Sequence, residues 1–298
     1  MGFIQELYNI PTIQVFLEEP MGKHTGYGVG GNAKYFINVY DVASLKKTIF
    51  LCGKYRENYK VIGNGTNILV KNGGFNGAII CLKGLDTIFI ENNLITAYSG
   101  VCLCNLIKFS NANGFYGAEA LSGIPACVGG ALVMNASAFN ISVGDFVCEV
   151  CTLEDNQLRK YTNKECMFEY RKSYFLGKNI PIIYSKFQFV PKSDNLQGIT
   201  INDCESIRKE HQPKGKSCGC VFRNPSGDFA GRLIDLSGLK GQQIGGAKVS
   251  EKHANFIITE PNARVLDICK LVNLIKQTVY NKFNILLQEE IEIIGEDR

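Results

Sequence analysis

The segment Gly26-Tyr27-Gly28-Val29-Gly30-Gly31 constrains the fold most, because it satisfies G-x-G-x-x-G in the wrong setting for a dinucleotide fingerprint. Such a fingerprint follows a strand and opens a helix whose amides meet a pyrophosphate. Here the polar EEPMGKHT precedes it, and AKYFINVY at residues 33–40 follows with the make-up of a strand. The Rossmann reading fails this test. A glycine-rich loop feeding a strand replaces it, with backbone open to something flat or anionic.

Two further glycine-rich stretches lie beside apolar runs. Gly63-Asn64-Gly65-Thr66-Asn67 separates the runs at 60–63 and 67–70, with AIICL following at 78–82. A helix over 41–54, capped by Asp41 and carrying Leu45, Ile49 and Leu51, makes this region an α/β unit. Successive amides in such a turn form an anion-binding nest, and Thr66 and Asn67 add side-chain hydrogen bonds; an ordinary tight turn explains the same residues. The second stretch, Ser122 to Ala131 (SGIPACVGGA), leads into a helix expected near Gly129, whose free amides are expected to point at a ligand. Two such loops suit a bound diphosphate.

Residues 88–98 and 146–153 alternate like strands, and 101–114 read as a helix ending at Asn113-Gly114. The polar PKSDNLQGIT, near 191–201, reads as a linker. Residues 263–283 form an amphipathic helix with Val265, Leu266, Cys269, Val272, Ile275, Val279 and Phe283 at helical spacing, and 285–294 read as a final strand.

A chain of 298 residues, 45% hydrophobic and 20% charged, has room for two or three domains. The net charge of +4 is spread along it, which disfavours nucleic acid and suits a small anion. The N-terminus lacks signal-peptide character and no apolar run nears the roughly 18 residues of a membrane span, so a cytoplasmic protein is expected. Of the 12 cysteines, Cys148 and Cys151 form the only C-x-x-C, with no second ligand pair nearby. That pair, like Cys102 and Cys104, reads as buried thiol in a reducing compartment. His24, His211 and His253 are too scattered for a metal site, so none is expected, and His253 reads as a hydrogen-bonding surface residue.

Three remaining clusters carry chemistry. Ser217 to Pro225 (SCGCVFRNP) packs two thiols, an arginine and an asparagine into one loop, and a thiol protonated at neutral pH can donate a proton. Burial explains each thiol taken alone equally well. Tyr170 to Phe175 (YRKSYF) offers an arginine fork suited to a carboxylate or a developing enolate. In QEEIEIIGE, alternation sets Glu290 and Glu292 opposite Ile291 and Ile293, facing either solvent or a site.

In order, HTGYGVGGNA, VIGNGTNILV, SGIPACVGGALVMNASAF, YRKSYF, SCGCVFRNP, AGRLIDLSGLKGQQIGGAKVSEKHANFI and EEIEIIGE resemble the UDP-N-acetylenolpyruvoylglucosamine reductase family over residues 24–296. The compact spacing looks like the shorter, type II form. The resemblance implies an α+β protein: a vanillyl-alcohol-oxidase-type FAD-binding fold of two subdomains, residues 1–80 and 81–200, plus a C-terminal α+β substrate domain, residues 201–298. It implies a cytoplasmic flavoprotein of peptidoglycan precursor synthesis, with NADPH as co-substrate and a nucleotide sugar as substrate. It implies an FAD environment of Gly63, Gly65, Thr66, Asn67, Ile124, Pro125, Gly129 and Gly130. It also implies that Arg171 and Glu290 hold the substrate carboxylate, that Cys220 donates the proton in place of the family's usual serine, and that Asn224 contacts substrate. Glu290, beside an anionic substrate, is expected to be protonated or paired with Arg171. The chain departs from the family pattern at Cys127 (usually Ser or Thr), Gly28 (commonly basic), Asn32 (commonly proline) and Glu292 (commonly arginine). An oxidase of the same flavin fold acting on another substrate is the competing reading.

Overall fold

Strand and helix patterns fold into two compact units in the computed structural model, which describes residues 2–191 and 200–297. The first unit comprises the described parts of Met1–Phe16, Tyr35–Asn64 and Gly77–Ile207; the second, those of Leu17–Lys34, Gly65–Asn76 and Arg208–Arg298. The linker expected near 191–201 falls mostly outside the described residues.

The first unit begins with α1 (Phe3–Tyr8) and holds α2 (Val42–Tyr55). Asp41 caps α2 as expected, its Oδ1 accepting from Ser44 N at 2.7 Å. A four-stranded sheet runs in the order Ile13–Pro20, Asn32–Val39, Phe75–Cys81, Tyr59–Ile62. Its last two strands are parallel, with Val61 opposite Ile80. Ala78 to Cys81 are buried throughout, as a strand with cover on both faces requires. Phe3, Leu7, Ile37, Leu45, Leu51 and Ile80 join in one core.

The unit's second sheet is antiparallel, in the order Gln157–Thr162, Val147–Glu154, Ile182–Phe187, Leu94–Tyr98, Ile88–Glu91. The stretch 88–98, read from sequence as a single strand-like run, is a hairpin. Asn92 and Asn93 adopt φ of 49° and 62°, the left-handed pair that a tight two-residue turn demands. Two helices pack here: α3 (Leu103–Ala112), which ends at Asn113 as expected, and α4 (Val128–Met134). Leu103, Leu106, Val128, Leu132, Val150 and Phe187 share their core. Cys148 and Cys151 stand on the strand 147–154, where a spacing of three turns their side chains to opposite faces; Cys151 is buried and Cys148 half-buried. No metal-holding cluster of His, Cys, Asp or Glu occurs among the described residues. The helix α5 (Ile201–His211) follows.

The second unit contains α6 (Ala230–Leu236) and α7 (Val265–Phe283). Val265, Ile268, Leu271, Val272, Ile275 and Val279 are all buried on one face of α7, which contributes on the order of 10 kcal/mol of gross hydrophobic stabilisation. The unit's small antiparallel sheet pairs Gln243–Ile244, Ala247–Val249 and Ile257–Thr259. Asp267, in the first turn of α7, accepts from Arg264 N at 3.0 Å and Gly246 N at 3.2 Å, and so ties hairpin to helix. The strand expected over 285–294 is regular only at Glu292–Ile294, which runs parallel to Ile68–Val70 with Ile293 opposite Leu69. No helix among the described residues is long and apolar enough to cross a membrane.

Candidate functional site

In the first unit the two glycine-rich stretches meet. Asn64 Nδ2 donates to Pro125 O at 3.0 Å, and a Cβ on Gly63 would lie 3.3 Å from Cys127 Cβ, so any larger residue at 63 presses on the loop. Ile124 and Pro125 enter this loop, and α4 leaves it at Val128. The expectation that the first amides of this helix point at a ligand is corrected. Val128 N donates to Val101 O at 2.8 Å and Gly129 N to Ser99 O at 2.9 Å, because residues 101–103 and 126–128 pair as a short antiparallel bridge. The space lies one residue on: nothing stands within 4 Å of where a Gly130 Cβ would be.

Ser99 and Ser122 flank this region with buried hydroxyls that lack a hydrogen-bond partner among the described residues. A loop with uncommitted donors and a glycine facing open space fits an anionic cofactor such as the diphosphate of FAD. Cys127 precedes α4 without capping it through its side chain, and burial pushes its thiol up to about 11. It therefore packs as a small hydrophobe where a hydroxyl would cap.

Arg171 is set by the far end of the same helix. It occupies a two-residue turn closed by reciprocal 3.1 Å bonds between Glu169 and Lys172, with its own φ at 53°. Its Nη1 donates to Ser137 Oγ at 2.6 Å. Asn135, in the left-handed conformation that ends α4, donates from Nδ2 to Glu169 O at 2.9 Å and accepts from Gly144 N at 3.0 Å. Ser173 Oγ donates to Val133 O at 2.7 Å. Neither Ser137 nor Asn135 was singled out from sequence. The available signal was an asparagine directly after a helix-length apolar run.

In the second unit Gly65 adopts φ of 65°, and a Cβ there would overlap His24 O, so glycine alone suits this turn. Gly26 N donates to Gly65 O at 3.0 Å. Asn67 Nδ2 donates to Glu290 O at 3.0 Å, and Glu292 N donates to Asn67 O at 2.9 Å. Asn67, read as a ligand-facing side chain, is thus engaged in holding the Glu290 backbone. Thr66, next to it, is half-buried.

The segment 220–223 lies between two others. Cys220 pairs with Phe256 and Phe222 with Glu289, both antiparallel. Val221 N donates to Asn255 O at 2.8 Å, Glu290 N to Val221 O at 2.7 Å and Arg223 N to Gln288 O at 2.9 Å. Asn255 holds the centre: its Oδ1 accepts from Phe222 N at 3.0 Å and its Nδ2 donates to Phe222 O at 2.8 Å. Cys220 and Glu290 thereby sit on adjoining backbone segments, a proximity that 69 intervening residues hid from sequence.

The two thiols of C-G-C separate here. Cys218 is buried in the core with Tyr27 and Val221, and its Sγ donates to Ile68 O at 3.6 Å. Burial pushes it up to about 12. Cys220 is half-buried and reaches the surface of the unit. Glu290 is half-buried and Glu292 exposed, while Ile291 is buried between them. Asn224 is exposed, and its Oδ1 accepts from Ala230 N at 3.1 Å, so it also caps α6. His253 is half-buried, its Nδ1 accepts from Asn255 N at 3.3 Å, and burial lowers its pKa. A side chain on Gly28 would run into Lys216, whose Nζ lies 2.7 Å from the Cβ position.

Residues 211–294 match the profile of the UDP-N-acetylenolpyruvoylglucosamine reductase C-terminal domain, and residues 33–155 match that of the FAD binding domain. The UDP-N-acetylenolpyruvoylglucosamine reductase of Listeria welshimeri is 37% identical over 96% of this chain and 97% of its own. That of Desulforamulus reducens is 37% identical over 98% and 97%. The crystal structure of the Thermus caldophilus UDP-N-acetylenolpyruvylglucosamine reductase superposes with a TM-score of 0.79 at 32% identity, covering 94% of this chain and 98% of that one. A BBE-like 1 variant from Physcomitrella patens, at 16% identity and a TM-score of 0.50 over 65% of this chain and 45% of its own, shows likeness of fold alone. Near full-length likeness at this identity, with the two family profiles covering both parts of the chain, places it plainly: the chain belongs to the UDP-N-acetylenolpyruvoylglucosamine reductase family.

Proposed function

We propose that the protein reduces the enolpyruvyl ether of UDP-N-acetylglucosamine to UDP-N-acetylmuramate in peptidoglycan precursor synthesis, in the cytoplasm, with FAD as cofactor and NADPH as co-substrate. The observation that supports this most is the full-length likeness to reductases of that name, with a half-buried thiol at the proton-donor position. An oxidase on the same fold is disfavoured, because the match extends through the C-terminal reductase domain at 211–294.

When bound, FAD supplies hydride transfer from NADPH to the methylene carbon of the substrate. Gly63, Gly65, Thr66, Asn67, Ile124, Pro125, Gly129 and Gly130 are the residues proposed to surround that cofactor. Hydride addition leaves negative charge on the carboxylate side of the substrate. Arg171, oriented by Ser137, places its guanidinium there, and Glu290 holds the same end while neutral or paired with Arg171. Cys220 Sγ delivers the proton to the adjacent carbon; a thiol is several pK units more acidic than an aliphatic hydroxyl, so donation is easier than from serine. Asn224 contacts substrate from the mouth of α6. The three-part division at residues 80 and 200 is proposed as a division of these roles.

The test separates the two half-reactions. NADPH should bleach the flavin, and the enolpyruvyl substrate should recolour it without oxygen; failure to recolour rejects the assignment. Cys220→Ser should keep substantial turnover. Cys220→Ala should still bleach but stall at the second half, and equal loss of bleaching in both variants would make Cys220 structural.

A further inference from the structure

The first unit holds a pair of thiols that the proposed reaction does not use. Cys102 and Cys127 face each other across the antiparallel bridge that leads into α4. Its two bonds, Leu103 N to Ala126 O at 2.9 Å and Val128 N to Val101 O at 2.8 Å, flank the pair on both sides. Cys102 and Cys127 are therefore a non-hydrogen-bonded pair, the class in which Cα atoms come within roughly 4.5 Å and the two side chains lean together. That separation falls inside the range a disulfide spans without backbone movement. Neither is bonded to another cysteine; Cys102 is half-buried and Cys127 buried. Cys81 is also near, its Sγ donating to Gly63 O at 3.7 Å, but no backbone bridge sets it opposite either one.

We propose that Cys102 and Cys127 form a reversible cross-strand disulfide, a redox modification site that clamps the loop before α4. The regulatory part rests on the reading of that loop as the flavin site. The oxidant is a peroxide. Cys102, the thiol that solvent reaches, attacks the peroxide oxygen; the O–O bond breaks and a sulfenic acid and water form. The Cys127 sulfur then displaces the sulfenic oxygen, forming the S–S bond and releasing a second water. Two thiols lose two protons and two electrons, and hydrogen peroxide becomes two waters. The bond tightens a pairing that already exists, so Gly129 and Gly130 stay in place with less freedom to open, and bound FAD leaves more slowly.

The holoprotein is treated with a small excess of hydrogen peroxide, alkylated, and mapped by mass spectrometry without reduction. The expected result is a Cys102–Cys127 linked peptide that dithiothreitol removes, absent in Cys102→Ser. FAD release, followed by recovery of flavin fluorescence, should slow at least about threefold in oxidised protein and stay unchanged in peroxide-treated Cys102→Ser. Alkylation of both cysteines after oxidation, a link from Cys81 to Cys127, or a correct link with unchanged release each overturns the proposal. A protein that binds no FAD in either state refutes the flavin reading instead and leaves the peptide map to judge the disulfide.

Discussion

Asn255 offers the sharpest test of how the second unit holds the segment that carries Cys220. It is 3% exposed, and its amide closes a double hydrogen bond on the backbone of Phe222, which is 1% exposed. Asn255→Ala leaves the Phe222 N–H and C=O buried without those partners. Each orphaned group costs about 1–3 kcal/mol, and with partial relaxation a total near 3 kcal/mol is expected. For a chain of this size that lowers the melting temperature by roughly 5 °C. Asn255→Asp isolates the donor. It keeps the acceptor for Phe222 N but sets a carboxylate oxygen against Phe222 O, so it should destabilise at least as much as alanine. Thermal unfolding of both variants as FAD-loaded protein measures this. Stopped-flow absorbance should show flavin bleaching by NADPH within about twofold of the parent and recolouring by substrate slowed at least about tenfold, because Cys220 and Glu290 hang on the segment that Asn255 pins. A loss under about 1 kcal/mol would refute the double-bond argument. Normal recolouring in a clearly destabilised variant would refute the link from Asn255 to the proposed role of Cys220.

Tyr27 is wholly buried, and its hydroxyl has no hydrogen-bond partner among the described residues. Tyr27→Phe should therefore stabilise the protein by about 1 kcal/mol, and a lower melting temperature would show that the hydroxyl has a partner. The thiols of Cys52, Cys166 and Cys218 are pushed up to about 12 by burial, and that of Cys127 to about 11. Because the fold favours their protonated forms, their contribution is complete below the ordinary thiol pKa of about 8.5 and is lost as pH rises towards 11–12. Unfolding free energy should fall by about 1.5–2 kcal/mol per thiol between pH 8 and pH 10, and a flat denaturant midpoint over that range would contradict the burial argument.

Local signals carried a large part of this protein. The Asp41 cap, the end of α3 at Asn113, the apolar stripe of α7 and the failure of Gly26–Gly31 as a dinucleotide fingerprint are short-range matters of spacing and turn chemistry. The family likewise was legible in seven motifs, and the comparisons bear it out. The hairpin at Asn92-Asn93 was also within reach, since paired asparagines between alternating runs signal a turn with positive φ.

Tertiary structure alone decided the rest. Whether α4 offers its first amides to a ligand depended on the carbonyls of Ser99 and Val101, which only folding brings to them. The two thiols of Ser217-Cys218-Gly219-Cys220 look alike in sequence. One became core because the carbonyl of Ile68 and the ring of Tyr27 close over it, and the other stayed half-buried beside the Glu290 segment. Asn67 and Asn255 read as ordinary polar residues until their partners, far along the chain, were in place. The physical reason is common to all of these: propensity and capping act within a few residues, whereas burial and hydrogen-bond satisfaction are properties of whatever the fold brings alongside.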